Sequence, residues 1–301
     1  MHGASSSPSH GASGLLRLPP FDSRAYLATL AEAPPVHGPA TSLSVPLDLT
    51  FVGLTDTGRV RKRNEDSLAL SRELGVAVVA DGMGGHPGGD VASSVAATHA
   101  VDRVQDLVRR HASESTTPPL GGAMAGVVLD AHRAIQARGL REPHLAGMGT
   151  TLTVLALDTG GLRWAIGHVG DSRAYLLRHG SFRQLTRDDT WVQQRVDAAE
   201  LTPAQARRHP FGHILTQCLG LEKRPEPQVL EGPLQEGDIF LLCTDGLVGM
   251  LEDELVSDAI RAHVPGGLHP PDLEGAANAL VTMANDRGGY DNVTVVLIAV
   301  G

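Results

Sequence analysis

Cysteine and aromatic residues are scarce in this chain, and long apolar runs are lacking. Cys218 and Cys243 are its two cysteines in 301 residues; they form neither a Cys-x-x-Cys pair nor a disulfide framework, which points to a reducing compartment. Aromatic residues are 3% of the chain, so a core must be built from aliphatic side chains. No stretch approaches the ~20 apolar residues of a membrane helix. The N-terminus has no charged region followed by an apolar signal segment. A soluble, cytoplasmic protein is therefore expected. Twenty-five Lys and Arg against 34 Asp and Glu give a net charge of −9, an acidic balance over the whole chain. Neither nucleic acid nor an anionic membrane is thus the expected partner.

What the chain has is length, hydrophobicity and aspartate. With 42% hydrophobic residues, 301 positions can bury a large core, enough for one domain near 250 residues plus an extension. Residues 1–49 differ in composition, with Ser5-Ser6-Ser7-Pro8-Ser9 and scattered Pro and Gly; they read as a low-complexity, partly disordered extension. Within it, Asp22 to Glu32 has the pattern of a short helix, with Tyr26, Leu27 and Leu30 on one face.

Four short blocks are each built around an aspartate beside glycine or a small polar residue. They are Ala80-Asp81-Gly82-Met83-Gly84-Gly85-His86, Gly170-Asp171-Ser172-Arg173, Thr244-Asp245-Gly246-Leu247 and Gly289-Tyr290-Asp291-Asn292-Val293-Thr294. Three adjoin apolar, strand-like runs, a position that holds a carboxylate rigidly while it still reaches solvent. Successive aspartates are 90, 74 and 46 positions apart, too far for one local loop, so only a fold gathers them. Hard cations take oxygen ligands and keep several waters, and a few aspartates suffice to hold them. Clustered carboxylates repel one another, a cost that divalent ions remove.

From residue 47 the pattern predicts strands over 47–54, 74–80, 150–157, 162–169, 174–177, 238–243 and 292–300. It predicts helices over 90–110, with Asp90 as cap, and over 122–138, 253–263 and 272–286. Short turns between the strands within 152–177 indicate antiparallel neighbours rather than βαβ crossovers, and helices covering sheet faces make the fold class α+β.

The blocks, in this order, resemble those of the metal-dependent Ser/Thr protein phosphatases of type 2C in their compact bacterial form. Further blocks extend the resemblance over residues 50–301: Gly58 to Asp66, Gly147-Met148-Gly149-Thr150-Thr151, and Leu185-Thr186-Arg187-Asp188-Asp189-Thr190. A lone Asp-Gly carries little weight because it is also a common turn; the ordered set is the signal. The resemblance implies an αββα sandwich of two antiparallel sheets between helix layers. It implies two Mn2+ or Mg2+ ions, with Asp81 bridging both, the Gly82 carbonyl on one, and Asp245 and Asp291 on the other. Glu65 and Asp66 would act through water, and Asp171 with Asp245 would hold a third, weaker ion. Arg61 falls where the family has its phosphate-binding arginine, although Arg59, Lys62 and Arg63 crowd the same segment. Met83 stands where some members place a histidine acid; His86 is the alternative, in competition with water on the metal.

Residues 188–219 resemble the family's flap. Trp191, Val192 and Val196 are expected beneath it, and Arg208 and His209 towards the substrate. The implied activity is hydrolysis of phosphoserine and phosphothreonine in proteins, opposing bacterial Ser/Thr kinases and acting on those kinases and their substrates. The competing readings are a general phosphomonoesterase, a phosphatase of a partner-switching regulator, and a catalytically silent binding module. The last normally lacks metal aspartates, and none is missing here.

Overall fold

A computed structural model describes residues 47–83, 88–113, 119–264 and 271–301; the predicted 22–32 helix and most of the extension lie outside them. The first sheet runs in the order β2 (Asp66–Ser71), β3 (Val76–Asp81), β4 (Leu152–Asp158), β5 (Arg163–Val169) and β8 (Gln228–Pro233). The second runs β1 (Leu49–Asp56), β10 (Val293–Val300), β9 (Ile239–Cys243), β6 (Arg173–Arg178) and β7 (Ser181–Gln184). Every adjacent pair in both sheets is antiparallel.

Central strands are apolar at nearly every position, as for strands covered on both faces. β10 is buried throughout and β9 likewise. Alternation then divides each strand between two interiors. Val76, Val78 and Ala80 of β3 pack with Ala96, Ala100, Met124 and Val128 from α1 (Gly89–Ser113) and α2 (Leu120–Arg141). On the other side Leu241 of β9 and Val295 and Leu297 of β10 pack with Val256, Ile260, Ala277 and Leu280 of α6 (Asp253–His263) and α7 (Leu273–Asp286). The opposite faces meet between the sheets, where Trp164 of β5 and Phe240 of β9 touch edge to face at 6.0 Å. The αββα layering implied by the resemblance is the one observed.

Three strands escape the sequence pattern. β2, β7 and β8 have half-buried or mixed faces and short or polar sequences, so no run marks them. Asp90 is not a cap: α1 begins at Gly89, and Asp90 lies inside its first turn. Asp272 does cap α7, accepting from Gly275 N at 2.8 Å. β4 and β5 pair as expected, but β5 and β6 are not neighbours. The turn between them carries the chain from one sheet to the other, and Asp171 sits on that crossover.

Candidate metal and phosphate site

One pocket, about 340 Å3 in volume, gathers Arg61, Glu65, Asp81, Gly82, Asp171, Asp245 and Asp291. Asp81 ends β3 and stands directly across from Asp66, the first residue of β2. Its backbone is held on both sides: Asp81 N donates to Thr151 Oγ1 at 2.9 Å, and Asp81 O accepts from Thr151 N at 2.9 Å and Thr150 Oγ1 at 2.8 Å. Thr151 Oγ1 also meets Ser172 Oγ at 2.8 Å. The Thr-Thr pair thus joins the first aspartate block to the second, a role its sequence does not announce.

The crossover turn at Asp171 is clamped by the 185–190 block. Asp189 Oδ2 accepts from Gly170 N at 3.0 Å, and Asp189 N donates to Gly170 O at 2.7 Å. Asp188 takes a two-toothed bond from Arg173, Nε at 2.9 Å and Nη2 at 2.7 Å. His168, fully buried and pushed towards its neutral form by burial, spans Thr153 Oγ1 at 2.8 Å and Gly170 O at 3.0 Å. A carbonyl only accepts, so Nε2 carries the proton and the Thr153 hydroxyl donates to Nδ1.

Asp245 opens the short helix α5 (Asp245–Val248) directly after β9 and Thr244. Gly246 follows because the backbone comes too close for anything larger: a Cβ there would collide with the Asn292 carbonyl. Gly82 is similar, since a Cβ would lie 2.6 Å from Glu65 O and against Gly89 O. Asn292 ties the Arg61 segment down, accepting from Glu65 N and donating to Thr57 O and Arg63 O, each at 2.9 Å.

The electrostatics are those of too many carboxylates in one place. Burial first, then the neighbouring aspartates, push Asp81 well above the usual carboxylate range. Burial and then Asp245 do the same to Asp171, and burial and Asp291 raise Asp245. Asp66 is raised to about 7, mainly by burial, against the lowering effect of its bonds from Thr294 and Thr244 hydroxyls at 2.7 and 2.8 Å. Glu65 is raised by burial and by Asp90. Yet the second oxygen of Asp66 and Oδ1 of Asp245 are buried with no hydrogen-bond partner. Buried, unpartnered carboxylate oxygens in a field of like charge fit divalent cations.

Among the described residues no three acidic, histidine or cysteine side chains are already set around one centre. Asp291 Oδ2 accepts from Arg61 Nη2 at 2.7 Å, so one of the predicted metal carboxylates is paired with the guanidinium. Of the predicted site residues among those described, Arg61, Glu65, Asp81, Gly82, Asp171, Asp245 and Asp291 line the pocket; Asp66 does not, and lies buried across the sheet from Asp81. His86 lies outside the described residues. The histidine lining this pocket is His213, from the predicted flap, joined by Leu215 and Cys218; no spacing in the sequence singles these out. His209 does not line the pocket but packs on Trp191 at 5.2 Å, and Val192 is buried.

A family profile described as protein phosphatase 2C matches residues 58–297. The Mycobacterium tuberculosis serine/threonine protein phosphatase PstP is 37% identical over 257 residues, 84% of this chain; the match spans 45% of that protein, so this chain corresponds to about half of it. The Listeria welshimeri serine/threonine phosphatase stp is 33% identical over 81% of this chain and 93% of its own length. A crystal structure of the M. tuberculosis enzyme superposes with a TM-score of 0.73 at 35% identity, covering 83% of this chain and 98% of that one. A structure of the PstP catalytic domain in complex with two manganese ions gives 0.71, again at 35% identity, over 84% and 99%. With the sandwich, the gathered aspartates and a match across most of the chain in agreement, this protein belongs to the protein phosphatase 2C family.

Proposed function

We propose that this chain is a metal-dependent protein-serine/threonine phosphatase acting on phosphorylated proteins, including Ser/Thr kinases and their substrates. Residues 50–301 form the catalytic domain, with a flap over about 188–219 and residues 1–49 as an extension. The observation that carries the reading is the convergence of Asp81, Asp171, Asp245 and Asp291 with Arg61 in one pocket. Its named relatives from M. tuberculosis and Listeria are serine/threonine phosphatases.

Asp81, the Gly82 carbonyl, Asp245 and Asp291 would hold two divalent ions, Mn2+ or Mg2+, with Asp171 and Asp245 available to a third. Bound there, such ions supply Lewis acidity to the phosphoryl group and lower the pKa of the attacking water. Arg61 presents a planar fork that binds two phosphoryl oxygens and offsets the charge that grows on them. Glu65, which lines the pocket, and Asp66, buried across the sheet from Asp81, would act on the ions through water. His213, which lines the pocket, is a second candidate, in addition to the sequence candidate His86, to deliver a proton to the departing alkoxide.

Cys218 also lines the pocket, which raises a covalent thiol mechanism as a rival. Burial pushes its thiol up to about 11, so it is protonated at neutral pH and a poor nucleophile. Water is the better attacking group. Among the described residues no helix is long and apolar enough to cross a membrane.

The test is phosphate release from a phosphothreonine peptide and a phosphotyrosine peptide, with and without Mn2+. Mn2+-dependent release favouring phosphothreonine is expected. No release from a folded protein with any divalent cation would overturn the reading.

A further inference from the structure

Among the described residues six large apolar side chains are exposed: Val60, Leu140, Leu162, Phe211, Ile214 and Tyr290. Scattered exposed hydrophobics are ordinary on a protein surface; these are not scattered. Val60 precedes Arg61, Tyr290 precedes Asp291, Ile214 stands between His213 and Leu215, and Phe211 lies two residues before His213. Each of those neighbours lines the catalytic pocket. Four of the six therefore adjoin, along the chain, residues that line one charged cleft, in two groups.

Both groups are tied to the surrounding structure. On the arginine side, Arg59 N and Val60 N both donate to Gly289 O, at 2.7 and 3.3 Å, which fastens the Val60 segment to the Tyr290 turn. The Tyr290 ring lies over Gly288, where a Cβ would come within 2.7 Å of it. On the flap side Phe211 stands against two rings, Trp191 at 5.7 Å and His209 at 5.4 Å. Arg195 covers Trp191 at 4.8 Å, and Trp191 N donates to Ile214 O at 2.8 Å. Phe211 is nonetheless 49% exposed and Tyr290 63%. Aromatic side chains have few rotatable bonds, so open ones lose little freedom when a ligand covers them, which favours recognition.

The pocket, at about 340 Å3, is of a size for one phosphorylated side chain and the groups that hold its phosphate. Residues flanking that side chain in an extended peptide must lie on the rim. Building on the phosphatase reading above, we propose that the two lips select substrates: the preferred phosphopeptide carries bulky apolar side chains on both sides of the phosphorylated residue. Phe211 and Tyr290 are the specificity-determining contacts, one on each lip.

The test compares two phosphothreonine peptides, one with leucine flanks and one with serine flanks, alongside p-nitrophenyl phosphate, which has no flanks. The wild-type protein is expected to favour the leucine peptide by about tenfold in kcat/KM, a difference of about 1.4 kcal/mol, within reach of partial burial of two apolar side chains. Phe211→Ser and Tyr290→Ser should each cut that preference several-fold, more through KM than through kcat. Leu140→Ser, at a residue whose chain neighbours do not line the pocket, should leave it intact. Equal hydrolysis of the two peptides by the wild type, or an equal loss of preference in Leu140→Ser, would overturn the proposal. If either lip variant fails to fold, the other still decides. Hydrolysis of p-nitrophenyl phosphate without hydrolysis of either peptide would instead strike the phosphoprotein reading on which the lips depend.

Discussion

Arg61 Nη2 donates to Asp291 Oδ2 at 2.7 Å across 230 positions of sequence, joining the residue assigned to phosphate to one assigned to metal. Both side chains are partly exposed, and their pairing raises the affinity of Arg61 for its proton. A partly solvated ion pair of this kind is worth about 1 kcal/mol or less. It therefore gives way readily when a cation claims Asp291 or a phosphate claims Arg61.

Removing Arg61 should separate the two roles. Arg61→Ala is expected to raise KM for a phosphothreonine peptide more than it lowers kcat, because the guanidinium grips phosphate in ground and transition states alike. Mn2+ should bind the variant up to about fivefold more tightly, since a competitor and a positive charge are gone. Steady-state kinetics and calorimetric titration with Mn2+ check the two halves. An unchanged KM would pass the phosphate role to Arg59 or Arg63.

Asp245 carries a buried oxygen without a partner and is assigned to both metal regions. Asp245→Asn should lower turnover by more than about two orders of magnitude. It should also raise the melting temperature in chelator, because one repelling charge is lost from the cluster. A variant with near-normal Mn2+-dependent activity would remove Asp245 from the site.

Gly246 has no room for a side chain, since a Cβ would strike the Asn292 carbonyl. Gly246→Ala should destabilise the protein by about 2 kcal/mol or more and displace Asn292, which holds the Arg61 segment. Chemical denaturation reads the first effect, and a raised KM reads the second. A stable variant with unchanged KM would show that the backbone yields without consequence.

The metal-free protein should become less stable as pH rises. Asp66 is raised to about 7, chiefly by burial, and Asp81, Asp171 and Asp245 are raised as well. A carboxyl whose folded pKa exceeds its unfolded value, ~3.9 for Asp, stabilises the fold while protonated. That stability is lost as pH climbs from the unfolded value through the folded one. In chelator the melting temperature should thus fall between about pH 4 and 7. Saturating Mn2+ should reverse the trend, because it binds the ionised forms. Thermal melts with and without chelator across that range give the answer.

The sequence by itself determined the family and singled out every acidic residue that lines the pocket. Apolar runs that end on Asp81 and approach Asp245, and the one that follows Asp291, were legible because central strands are buried on both faces and read as continuous hydrophobic segments. β2, β7 and β8 were not, because half-exposed strands carry no such run. Nor could the sequence show that Thr151 and Ser172 join the first two aspartate blocks, that Asp189 clamps the Asp171 turn, or that Asn292 holds the Arg61 segment. Those are hydrogen bonds between residues far apart in the chain, and no local pattern encodes them. The tertiary structure alone decided that β5 and β6 lie in different sheets, that His213 and Cys218 reach the pocket, and that Asp291 faces Arg61. Each depends on which strand edges meet when two sheets pack, a choice made by the whole core.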